Sequence, residues 1–155
     1  MKTHDYTARI VWDGNTGSGT TSYTSYGRQY RLVMDGKPEL ALSSDPLFRG
    51  EAEKHNPEDL FLAAISACHM LFVLSLCARN GIRVTAYEDR VQGRMTIDDK
   101  GGGKFEEVTL HPRMTIAAGD DVARAVALHD TAHELCFIAN SCSVPIHHQV
   151  TVSAE

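Results

Sequence analysis

The chain lacks most of the features by which a protein's class is easily read. It has no basic cluster: 15 Lys and Arg stand against 20 Asp and Glu, for a formal net charge of −5. The cationic footprint of a nucleic-acid partner is therefore absent. No GxGxxG opens a helix and no GxSxG or HExxH occurs, while the Gly-rich stretch from Asp13 to Gly19 lacks a phosphate-loop pattern. Nucleotide-binding, serine-hydrolase and zincin readings thus find no support. There is no internal repeat, low-complexity tract or interdomain linker, so a single domain over residues 1–155 is expected. The opening MKTHDYTARIVW turns directly into a strand-like pattern with no apolar signal region, which predicts a cytoplasmic protein. Thiols stay reduced in that compartment. The 4 cysteines, at positions 68, 77, 136 and 142, are then catalytic, metal-binding or simply buried residues and not structural bridges.

What the chain does have is one long apolar helix, read from NPEDLFLAAISACHMLFVLSLCARNG. Asn56 suits the N-cap, Pro57 the first helical position and Glu58 and Asp59 the positive end, while Asn80-Gly81 supplies a left-handed stop. No charged residue lies between Leu60 and Ala78, so apolar surface wraps the whole circumference and needs cover on every side. A membrane span needs roughly 20 apolar residues and is the competing reading. Ser66, Cys68, His69 and Ser75 dilute this run and no basic cluster flanks it, so a buried core helix and no membrane partner are expected. A chain this short can barely cover such a helix alone, which points to a second subunit.

The helix is flanked by alternating patterns. Tyr6–Trp12, Thr20–Tyr26, Arg28–Met34 and Glu39–Ser43 read as an N-terminal antiparallel meander, followed by an irregular connection, Leu47–His55, that contains Arg49. Beyond Gly81, strands are predicted over Ile82–Tyr87, Val91–Ile97 with a bulge at Gly93, and Phe105–Ile116, with a hairpin tip at Gly101 to Gly103. A second helix capped by Asp120 or Asp121 runs to just before Cys136, and Val144–Val152 forms a last strand. The fold class is α+β.

A thiol buried among apolar groups is held as the thiol unless a cation lies close. The helix offers Cys68 no such neighbour except His69, which points about 100° away. Arg49, one loop upstream, is the nearest candidate in sequence and keeps its charge in an apolar pocket. Cys77 lies nine residues on, roughly the opposite face and about 13 Å along the axis, and reads as a small core residue. Cys136 can be brought to Cys68 by tertiary packing, and Cys142 competes for that role.

The segment NPEDLFLAAISACH, followed late in the chain by AHELCFIANS between a helix and a final strand, resembles the OsmC/Ohr family, the osmotically inducible and organic-hydroperoxide-resistance proteins. The similarity covers nearly the whole chain. It implies an intertwined homodimer of OsmC-like fold that reduces organic hydroperoxides, with no cofactor beyond an external dithiol electron donor. Residue by residue, Cys68 resembles the peroxidatic cysteine, Cys136 the resolving one and Glu58 the acidic partner. Arg49 matches the arginine, with Arg28 and Arg31 as the other candidates. Two departures stand out. Phe137 occupies a position where many members carry proline, and Cys142 one that is commonly apolar, leaving a three-thiol relay open. Ten helical residues set Glu58 about 15 Å from Cys68, so the partner subunit is expected to supply the carboxylate.

Phe48, Phe61, Met70, Phe72, Phe137 and Ile138 are candidates either for an apolar substrate pocket or for plain core. Two other function classes compete. His129, His133 and Cys136 recur at i, i+4 and i+7 of the second helix and are zinc-ligand types, although helix histidines are more often solvated and no CxxC pair accompanies them. The fold can also serve as a small-molecule binder without turnover. His147 and His148 alternate on the last strand, one exposed and one packed.

Overall fold

The structure, a computed structural model, describes residues 1–155. The chain divides into two compact units, Met1–Leu60 and Phe61–Glu155.

In the first unit, β1 (Arg9–Trp12), β2 (Tyr30–Val33) and β3 (Leu40–Leu42) form an antiparallel sheet in chain order, the meander expected. The predicted strand over Thr20–Tyr26 is a series of turns instead. Small hydroxyl and amide side chains there satisfy the backbone locally: Asn15 Oδ1 accepts from the N–H groups of Gly17 and Gly19, and Ser25 Oγ donates to the Gly19 carbonyl. Such bonds compete with a sheet ladder, and here they win.

Helix α1 (Pro57–Arg79) begins at the end of this unit. Asn56 Oδ1 accepts from the Asp59 N–H at 2.9 Å and Asp59 reaches back to the Asn56 N–H at 3.3 Å, a reciprocal cap that satisfies two otherwise orphaned donors. At its far end Gly81 takes φ +71°, a left-handed conformation open to glycine at little cost, and the Ile82 N–H closes on the Cys77 carbonyl at 2.9 Å.

The second unit carries two mixed sheets whose strands are interleaved along the chain. One has the order β4 (Val84–Asp89), β7 (Pro112–Ile116), β9 (Thr151–Ala154); the other β5 (Gln92–Ile97), β6 (Gly103–Leu110), β8 (Ile146–His148). In each, the first pair is antiparallel and the last parallel. The single strand read over Phe105–Ile116 is therefore two strands in different sheets. They part at His111, whose N–H is taken by Asp89 Oδ1 at 2.7 Å, next to Pro112, which has no N–H for a ladder. The last strand is likewise two, because the chain leaves β6 for β7 after His148. The bulge falls between Arg94 and Met95. Gly93 instead leaves room for packed side chains: a Cβ there would lie 2.7 Å from both Leu62 Cδ2 and Phe105 Cε1, and one of them would have to shift.

Helix α2 (Val122–Leu135) starts at Asp121, whose side chain accepts from the Arg124 N–H, while Asp120 instead pairs with Arg83 at 3.0 Å. Two cores result. Val73 and Cys77 of α1 pack with Ala125, Leu128 and Ala132 of α2 over Met114 and Ile116 of β7. Two turns and more back along α1, Ile65 packs with Val108 and Leu110 of β6. Within one chain only the stripe Ile65, His69, Val73, Cys77 is buried, while Ala63, Ala64, Ala67, Leu71, Ser75 and Ala78 face open space. By length and composition alone α1 would suit a membrane span, and its buried stripe packs into the two cores.

Candidate thiol site

Four free thiols are present, and two of them, Cys68 and Cys136, lie close enough to influence one another. Cys68 projects half-buried from the middle of α1, and Cys136 is the C-cap of α2, where its side chain is almost wholly buried. The chain turns here because the Cys136 backbone is extended, with its N–H closing on the His133 carbonyl. The Cys136 thiol is pushed up to about 11, first by burial and then by the neighbouring Cys68 thiol, while the Ala139 N–H, 3.5 Å from its sulfur, pulls the other way. Cys136 is thus held as a neutral thiol against Cys68. Of the pair, Cys68 is the more open to solvent.

The other cysteines stand apart. Cys77 is fully buried in the α1–α2 core and its thiol is raised by that burial, which is the structural role expected of it. Cys142 is half-buried, donates to the Ala139 carbonyl at 3.5 Å and lines a surface depression of about 560 Å³ with Phe61, Phe105 and Pro145. The apolar candidates disperse. Phe61 stacks on Phe105 with ring centroids 5.1 Å apart, Ile138 joins the core over β6, and Phe72 meets the exposed Phe137 edge-on at 5.0 Å. Met70 and Phe48 are half-buried, the latter in the first unit.

Arg49 and Glu58 belong to the first unit. Arg49 is exposed, makes no ion pair and is the one non-glycine residue with positive φ, at 68°, where it caps a short 3-10 turn at Pro46–Phe48. A left-handed arginine is uncommon, and such positions concentrate at functional sites. The alternatives are already engaged. Arg31 is held by Asp13 at 2.8 Å and Glu39 at 3.0 Å, and Arg28 lies over the rings of Tyr23 and Tyr26. Glu58 is half-buried near Tyr30, whose phenol is raised by burial and then by that carboxylate.

His129, His133 and Cys136 do not converge as zinc ligands, because no group of three or more His, Cys, Asp or Glu side chains has the spacing to hold an ion. His129 is fully buried, against the expectation of a solvated helix face, and its Nδ1 lies 3.0 Å from Nε2 of the buried His69. Sequence reading missed this pair. The signal was present, since His69 falls on the Ile65–Val73–Cys77 stripe and His129 beside Leu128 and Ala132. His147 is exposed and His148 packed, as the alternation predicts.

Known proteins share this architecture. An OsmC-like protein of unknown function from Vibrio cholerae superposes with a TM-score of 0.86 at 26% identity, over 96% of this chain and 100% of that one. An organic hydroperoxide resistance protein from Elizabethkingia anophelis superposes with a TM-score of 0.69 at 24% identity, over 100% of both chains. An uncharacterized Bacillus subtilis protein, YmaD, is 21% identical over 100% of this chain and 97% of its own. A model of the OsmC-like protein family matches residues 50–151, the span that begins beside Arg49, carries both interacting cysteines and ends in β9, and the chain accordingly belongs to the OsmC-like family.

Proposed function

We propose that this protein is a cysteine-based thiol peroxidase that reduces organic hydroperoxides to alcohols. The observation that supports it most is the contact of two free thiols of unequal burial, Cys68 and Cys136, from distant parts of the chain. The Cys68 thiolate attacks the distal peroxide oxygen, the O–O bond breaks, and the alkoxide takes a proton and leaves as the alcohol. Cys68 is then a sulfenic acid. The Cys136 sulfur displaces its oxygen as water, giving a Cys68–Cys136 disulfide, and an external dithiol returns both to thiols by exchange. No other cofactor is needed.

Arg49, unpaired in its own unit, is assigned the guanidinium that favours the Cys68 thiolate and the charge on the departing oxygen. Glu58, supplied by the partner subunit, orients it. A homodimer is part of the proposal, and the open apolar flank of α1 around Leu71 supports it, because a patch of that kind marks an interaction surface. The exposed Phe137 ring against Phe72 favours a bulky organic peroxide. Repeated reduction by a dithiol fits a reducing, cytoplasmic setting.

Peroxide consumption with a dithiol donor tests the assignment. Cys68→Ser should abolish turnover, whereas Cys136→Ser should consume one equivalent and stop as a sulfenic acid that dimedone traps. Turnover that survives Cys68→Ser would sink the proposal.

A further inference from the structure

Every other buried side chain in the seam between α1 and α2 is apolar or a thiol, yet its centre holds two imidazoles. His69, on α1, and His129, on α2, are 1% and 0% exposed, with Nε2 of the first 3.0 Å from Nδ1 of the second. The adjoining buried positions of the two helices include Val73, Leu128 and Ala132, all in one apolar core. A well-packed apolar pair would be at least as stable there, since His69 Nδ1 and His129 Nε2 are left without partners and buried unsatisfied nitrogens are costly. The pair therefore does something that apolar side chains cannot.

An N–H···N bond is satisfied at one alignment of the two helices along their axes, whereas apolar surfaces slide with little penalty. Cys68 immediately precedes His69, and Cys136 follows His129 by seven residues, close to two helical turns on the same face. We propose that His69 and His129 are positioning residues: their mutual hydrogen bond sets the register of α1 against α2 and so presents the Cys136 sulfur to Cys68 for disulfide closure. The proposal rests on the pairing of these two thiols and not on the peroxide chemistry.

The surroundings suit a neutral pair, which a single shared proton requires. Around it lie His148 of β8, with its ring 5.6 Å from His69, and His133 of α2, 5.5 Å from His148. Tyr87 of β4 stacks near His129 at 6.3 Å, and its phenol is raised by burial and then by Asp89. The one carboxylate bonded to the cluster, Asp130, goes to His148 Nε2 at 2.9 Å and not to the buried pair. Burial holds His69 down to about 3 and His129 down to about 4, with the neighbouring imidazoles adding to the effect.

Diamide tests the inference without peroxide, because its N=N bond takes two electrons and two protons from two thiols to give a hydrazine and a disulfide. His69→Leu and His129→Leu should slow Cys68–Cys136 closure by about tenfold or more, since misplacement on the ångström scale is enough for that. Alkylation of Cys68 by iodoacetamide should stay at the wild-type rate. The pair His69→Gln with His129→Asn, which puts amide groups where Nε2 and Nδ1 were, should recover closure to within about threefold, a loss of under 1 kcal/mol. Leucine variants that close at the wild-type rate, or a double amide variant as slow as they are, would overturn it. If the leucine variants do not fold, 15N-labelled wild-type protein decides, because a scalar coupling between His69 Nε2 and His129 Nδ1 is required and its absence refutes the bond. Wild-type protein that forms the disulfide with diamide but consumes no hydroperoxide would remove the peroxidase reading and leave this one standing.

Discussion

Acid should destabilise this protein through its buried histidines before its carboxylates titrate. His129 binds a proton in the folded state only near pH 4, against 6.5 for an unperturbed imidazole, chiefly because burial disfavours the cation. Between these values the unfolded chain holds more protons than the folded one, so stability rises with pH. The contribution is complete above pH 6.5, falls as pH drops, and is gone near pH 4. At ~1.4 kcal/mol per pH unit the 2.5-unit window amounts to on the order of 3 kcal/mol, of which about 2 kcal/mol is lost by pH 5. His69 acts in the same direction down to about pH 3, and because the two rings share a bond the losses are not additive. With a urea m-value of about 2 kcal/mol/M for a chain of this size, the unfolding midpoint should drop by about 1 M between pH 8 and pH 5. A His69→Gln, His129→Asn protein should show little of this slope. Equal midpoints at pH 8 and pH 5, or an NMR titration of the His129 ring centred near 6.5, would refute the reasoning.

Gly93→Ala should destabilise by about 1–3 kcal/mol, because the new methyl meets Leu62 and Phe105 at 2.7 Å and the second core must move, which chemical denaturation would detect. Leu71→Glu places a charge on the open flank of α1; gel filtration should shift from dimer to monomer and hydroperoxide turnover should fall with it. A variant that stays dimeric would show that this flank is not the subunit contact.

The two helices were legible in the sequence because their ends are local chemistry. Asn56, Pro57 and Gly81 bound α1, and Asp121 caps α2, each through bonds made within a few residues. The thiol candidates were legible too, since Cys68 and Cys136 stand in segments resembling a known family. Strand identity was not. Alternation over Phe105–Ile116 and Val144–Val152 reports which face is apolar but not which sheet receives it, and both stretches divide between two sheets. Parallel pairing of β6 with β8 and β7 with β9 joins residues far apart in the chain, so no local pattern encodes it. Thr20–Tyr26 misled for the opposite reason, as its hydroxyls bond within the segment.

By itself, then, the sequence determined where the helices begin and end, that α1 has more apolar surface than this chain covers, and which residues have the chemistry for a redox site. Only the tertiary structure decided that Cys136 and not Cys142 meets Cys68, that the β-strands sort into two mixed sheets, and that His69 and His129 face each other away from water. The physical reason is common to all three. Caps and apolar periodicity act over a few residues of chain, whereas sulfur against sulfur, strand beside strand and imidazole on imidazole depend on distances in space that the folded core alone sets.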